Sequence, residues 1–190
     1  MPVIRVTLIE GYEDATLQRL AARLTDAVGA TIAAPLDGIT VAIEEVRPAG
    51  YMRGRRPRTP GAPAAGPAET VRAFLDAVQA RDLDAARAWL ADGFVMTFPG
   101  GHRFTALEEL VAWSRSRYRF VRKSYERIEE SVGAAGPVVF CQGTLAGEWP
   151  DGTPFDGIRF IDRFALVDGR LAEQQVWNDM AEHRPAPAAA

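Results

Sequence analysis

Residues 57–68, PRTPGAPAAGPA, hold four prolines and two glycines among alanines and present no apolar face to a core. Proline fixes φ and removes a backbone donor, so the run reads as an extended, semi-rigid spacer rather than a helix or paired strand. Taken as a linker, it leaves a block at residues 1–56, a larger block at 69–182, and a final stretch, 183–190, HRPAPAAA, that reads as a disordered tail. A chain of 190 residues exceeds the commonest single-domain size yet is short for two large domains, which suits two small ones.

Composition narrows the function classes. A hydrophobic content of 47% allows a buried core, and a net charge of −3 gives no case for nucleic acid or an anionic membrane as partner. No basic segment followed by an apolar run opens the chain, and no stretch approaches a membrane span, so a cytoplasmic protein is expected. The single cysteine, Cys141, lies in the apolar run VVFCQGTL and reads as a buried strand residue. Two histidines and one cysteine, far apart, give no metal-ligand spacing, and no phosphate-binding glycine loop follows a strand. No cofactor is expected.

Outward toward the start, ITVAIEEV alternates, with Ile39, Val41 and Ile43 opposite Thr40, Ala42 and Glu44. Before it, Leu17, Leu20, Leu24 and Val28 keep helical spacing behind a cap at Asp14, with Gly29 as the stop. Val3 to Ile9 alternates again. The unit is β-α-β, whose crossover brings its strands parallel. So small a unit leaves one sheet face and both edges poorly covered, and calls for partners of its own kind.

Pro2, the strand and LIEG, a helix, APL, and a second strand leading to a Gly-rich hairpin resemble the 4-oxalocrotonate tautomerase family over residues 2–56. That resemblance implies that removal of methionine exposes Pro2, whose secondary amine acts as acid or base, and that subunits pair and assemble into hexamers. Such an amine needs desolvation or neighbouring cations to serve as a base near neutrality. The alternative is a proline that merely begins an edge strand. Tyr12 and Thr40 stand where the family's prototype carries its two carboxylate-binding arginines, and Tyr51 matches the aromatic residue that walls its pocket. Arg53 and Arg55, in YMRGRRPR, are candidates to replace the missing anion contacts. The alternative for them is a solvated basic edge.

Beyond the linker, Val71, Phe74, Leu75 and Val78 keep helical spacing within a helix over 69–81. Asp82 caps a second helix reaching Leu90, and Thr105 with Glu108 forms a capping box for a third that carries Tyr118. FVMTF reads as a short strand before a PGGHRF turn. Four strands follow, SYERIEESV, VVFCQGTLAGEW, FDGIRFIDRFAL and RLAEQQVWNDM, separated by turn-rich GAAGP, PDGTP and VDG. The expected fold class is α+β throughout: a β-α-β domain, then three helices against a curved antiparallel sheet that encloses an apolar cone. FPGG, GTLAGEWPDGTPFDGIRFIDRF and VWND resemble the polyketide cyclase (SnoaL-like) branch of the nuclear transport factor 2-like superfamily over residues 69–182.

That likeness implies a catalytic or proton-transferring acid at the end of the last strand, where Asp179 stands. An epoxide hydrolase would also need an Arg-x-Asp pair on FCQGTLAG, which has none, and FVMTF lacks the carboxylate of a ketosteroid isomerase. Asp162 alternates with Phe160 and Phe164 and so faces the cone, as a general acid with a raised pKa or as a structural partner of Arg163, Arg159 or a cross-strand group. His102 stands at the cavity mouth or is a solvated turn residue, and Trp177 walls the cavity or fills the core. Two functions stand side by side. One is a cofactor-independent tautomerase using Pro2 on a small enolisable carbonyl compound. The other is a cone domain that binds or cyclises a small molecule, with the first block as a platform for a homo-oligomer, a hexamer being favoured.

Overall fold

The computed structural model describes residues 1–61 and 65–183. The described residues fall into two compact units, 1–61 and 65–183.

In the first unit, strands β1 (Val3–Ile9) and β2 (Thr40–Val46) pair in parallel, Val3 opposite Thr40 and Ile9 opposite Val46, with helix α1 (Asp14–Ile32) between them. Glu13, not Asp14, is the N-cap. The helix also runs through Gly29. A Cβ there would come within 2.9 Å of Leu36, so the glycine admits a close neighbour, and the helix ends instead at Ala33, which takes a left-handed φ of 52°. No residue of α1 is buried, and Ile9 is the one buried apolar residue of this unit among those described. The open face of the two-stranded ribbon carries Val3, Arg5, Thr7, Thr40 and Ala42. A tight hairpin follows, β3 (Met52–Arg53) with β4 (Arg56–Pro57), turning on Gly54 and Arg55, both at positive φ.

The expected spacer is shorter than 57–68. Pro57 belongs to β4, and Pro67 opens helix α2 (Pro67–Gln79), where its missing N–H is no loss. Residues 62–64 of that stretch, and 184–190 of the expected tail, lie outside the described residues.

The second unit is built on a six-stranded sheet. After α2 come α3 (Leu83–Arg87), β5 (Leu90–Phe98), β6 (His102–Phe104), α4 (Leu107–Ser114), β7 (Phe120–Gly133), β8 (Gly136–Glu148), β9 (Pro154–Val167), β10 (Arg170–Asn178) and α5 (Met180–His183). The strand order is β6-β5-β10-β9-β8-β7. The expected four-stranded antiparallel meander is therefore its larger part, extended by two strands, with β5 parallel to β10. That pairing joins residues some eighty positions apart and leaves no local signature. HRF is a three-residue strand where a turn was expected, too short for alternation to register.

Helix ends shift as well. Asp82 does cap α3, accepting from Ala85 N–H at 3.0 Å, but the helix ends at Arg87, Trp89 lies in the turn that follows and Leu90 opens β5. Glu109, not Glu108, caps α4 by accepting from Thr105 and Ala106 N–H, while Glu108 pairs with Arg87. That helix stops at Ser114, short of Tyr118. The last strand ends at Asn178, and Met180 starts a short helix.

Helix α2 drives Val71, Phe74 and Leu75 into the concave face of the sheet, against Phe94, Met96, Val139, Cys141, Phe164 and Leu171. Phe74 meets Phe94 and Phe164 edge to face at 6.0 Å. A second cluster, Leu145, Trp149, Phe155, Ile158, Phe160 and Met180, lies on the same face farther along the sheet.

Candidate functional site

Pro2 is half-buried at the head of β1, and its carbonyl accepts from the Thr40 N–H at 3.1 Å. These two expected site residues are thus brought together. Tyr12 follows the other end of β1, and Tyr51, Arg53 and Arg55 follow the other end of β2. Seven strand residues separate the two ends by roughly 20 Å. One copy of the chain therefore does not gather Tyr12, Tyr51, Arg53 and Arg55 around its own Pro2. Arg53, Arg55 and Thr40 are exposed, and Tyr51 is half-buried.

Along β9 the side chains alternate, with Ile158, Phe160, Asp162 and Phe164 buried toward the helices and Arg159, Ile161 and Arg163 on the other face. Asp162 does face the cone. It is 0% exposed, and its Oδ2 accepts from Lys123 Nζ and from Gln174 Nε2 at 3.5 Å, while Oδ1 has no partner. Burial pushes its pKa up, and Lys123 and Gln174 pull it partly back. Its partner is neither Arg159 nor Arg163, which pair with Asp179 and Glu173 on the opposite face. Lys123, on β7, was not singled out by the sequence reading. The alternation Val121, Lys123, Tyr125 was the available signal for its inward direction.

Two cavities with shared walls lie in the cone, of about 130 and 50 Å³. Phe98, Tyr118, Val121 and Lys123 line both, Tyr125 and Gln174 the larger, Trp113 and Asn178 the smaller. Lys123 Nζ lies 4.6 Å from the centre of the Phe160 ring. Burial raises the phenol pKa of both Tyr118 and Tyr125, in the latter case reinforced by Asp162. Cys141, in the core cluster, has its thiol pushed up to about 12 by burial and then by Asp162, and so stays protonated.

Asp179 and Trp177 lie elsewhere. Asp179 accepts from Arg159 Nε at 2.7 Å and, with Trp177, Gln142 and Glu126, borders an open hollow of about 400 Å³ on the convex face of the sheet. Strand alternation explains the placement. Val176 and Asn178 are the residues of the VWND stretch that line the smaller cavity, which leaves Trp177 and Asp179 on the other side. His102 is exposed and packs on Trp113 at 5.3 Å without lining either cavity. Among the described residues no three His, Cys, Asp or Glu side chains cluster as metal ligands. No described helix is long and apolar enough to cross a membrane.

The architecture is that of a β-α-β unit followed by an α+β cone. By its residues 71–174 the chain belongs to the family of SnoaL-like domains, and by residues 2–58 to the tautomerase enzyme family. A probable tautomerase of Staphylococcus aureus strain Mu50 is 43% identical over 51 residues, which is 27% of this chain and 84% of that one. A nuclear transport factor 2-like protein of unknown function from Burkholderia pseudomallei K96243 shares the cone fold, with a TM-score of 0.54 at 22% identity over 63% of this chain and 95% of its own. A nuclear transport factor 2-like protein from Burkholderia thailandensis E264 matches at 0.50 and 17%, over 60% and 92%.

Proposed function

We propose that the chain is a cofactor-independent tautomerase in which Pro2, freed by removal of Met1, moves a proton between carbon and oxygen of a small enolisable carbonyl compound. The observation that carries this reading is the seat of Pro2. It is half-buried, with its carbonyl pinned to β2, at the head of a unit that belongs to the tautomerase family. A terminal proline offers a secondary amine with a lone pair, which can accept and return a proton. The amine takes the proton from one position of the substrate and returns it to another, so no redox partner or metal is consumed.

The substrate pocket is shared between copies. Tyr12, Tyr51, Arg53 and Arg55 sit at the end of the ribbon away from Pro2, so their place in its pocket requires a neighbouring copy. A hexamer supplies one, and it also covers the open ribbon face. The competing reading, cone chemistry at Asp179, is disfavoured by that residue's exposed pair with Arg159 outside both cavities.

Ketonisation of phenylenolpyruvate by protein whose intact mass confirms loss of Met1 tests the reading. Pro2→Ala is expected to lower kcat/KM by about 100-fold or more. A Pro2→Ala protein as active as wild type would end it.

A further inference from the structure

The cone carries a charge pattern that the tautomerase reading does not use. Three cationic side chains line its two cavities: Lys123 borders both, Arg81 the larger and Arg117 the smaller. No aspartate or glutamate lines either one, although the chain as a whole has a net charge of −3. Asp162 lines neither cavity: it is fully buried and paired with Lys123. An ammonium has three N–H donors, and the hydrogen bond to Asp162 occupies one. The others are available to a guest, beside the Phe160 ring. The remaining wall is largely apolar, with Phe98, Tyr118 and Val121 common to both lobes.

Size limits the guest. An apolar cavity of about 150 Å³ accommodates a molecule as large as benzene, and the two lobes, which share Lys123, measure about 130 and 50 Å³. With Lys123 already paired to Asp162, Arg81 and Arg117 leave the lining net positive, which favours a guest of opposite charge in a space partly screened from water.

We propose that the cone binds a small organic monoanion with an apolar body of about one ring, its carboxylate or enolate anchored by Lys123. Asp162 is the positioning residue. It holds the Lys123 ammonium at the junction of the two lobes and does not touch the ligand. This site is independent of Pro2, and the two readings fail separately.

The test is calorimetric titration of the full chain with the one-ring carboxylates benzoate and phenylacetate and with their neutral amides, benzamide and phenylacetamide. The carboxylates are expected to bind at least about tenfold more tightly than the amides, with Pro2→Ala leaving that gap intact. The double variant Lys123→Met/Asp162→Asn replaces the pair with neutral groups of similar shape and strands no buried charge. It is expected to abolish the preference while keeping the far-UV circular dichroism of wild type. Amides that bind wild type as tightly as the acids, a double variant that still prefers the acids, or no saturable binding of either carboxylate at millimolar concentration would each overturn the proposal.

Discussion

At the scale of single residues, the buried pair of Lys123 and Asp162 dominates the second unit. Asp162 is the one fully buried carboxylate among the described residues, and its second oxygen lacks a partner. Lys123→Met alone removes the cation and leaves that carboxylate uncompensated, at an expected cost of about 3–5 kcal/mol in urea denaturation near neutral pH. Lys123→Met/Asp162→Asn is expected to lie within about 1 kcal/mol of wild type or above it. The sign with pH follows from burial, which holds the folded-state pKa of Asp162 above its unfolded value. The folded state then binds the extra proton, so the penalty in Lys123→Met shrinks as pH falls through that raised pKa and is greatest above it. A penalty that grew on acidification would contradict this account. In the sequence, Asp162 was legible as inward-facing from its place between Phe160 and Phe164. Lys123 was not, because VRKSYER is dominated by charge and its partner lies two strands away.

At the scale of elements, strand β7 depends on a bulge. Its register against β8 shifts between Tyr125 and Arg127, which lets Val121, Lys123 and Tyr125 face the cone on one side of the break and Ile128 on the other. Without the extra residue one of the two sets would turn out to solvent. Opposite the bulge stands Gly143, where an added Cβ would lie 1.9 Å from the Ser124 carbonyl oxygen. Backbone cannot yield as a flexible side chain does. Gly143→Ala is therefore expected to destabilise the protein by at least about 1–3 kcal/mol in urea denaturation. Gly61→Ala, which meets nothing within 4 Å, is the control and should stay within about 0.5 kcal/mol of wild type. Equal midpoints for the two variants would show that β7 and β8 separate without cost. Gly29 teaches the same lesson in a helix, since a glycine read as a stop proved to be a place of close approach to Leu36.

For the whole molecule, the contrast between the units bears on assembly. The cone unit buries Phe74, Met96, Phe164 and many others by itself, whereas the β-α-β unit leaves its entire helix without a buried residue and Val3, Ile32, Leu36 and Met52 more than half exposed. A two-stranded ribbon with one uncovered face and two free edges does not stand alone in water. The full chain is expected to sediment as a hexamer at micromolar concentration. A monomer would remove both the shared pocket around Pro2 and the means of burying α1.

The sequence by itself determined what rests on local pattern. The prolines and glycines of 57–68 marked the separation, alternation and helical spacing named most elements, and the framework following Pro2 pointed to the tautomerase family. Only tertiary structure decided what depends on residues distant in the chain. The pairing of β5 with β10, the bulge that aims both halves of β7 inward, the turning of Asp179 away from the cone and the seating of Lys123 on Asp162 all follow from strand register. Register is fixed by the packing of many side chains at once, and a shift of one residue sends a side chain to the opposite face of the sheet.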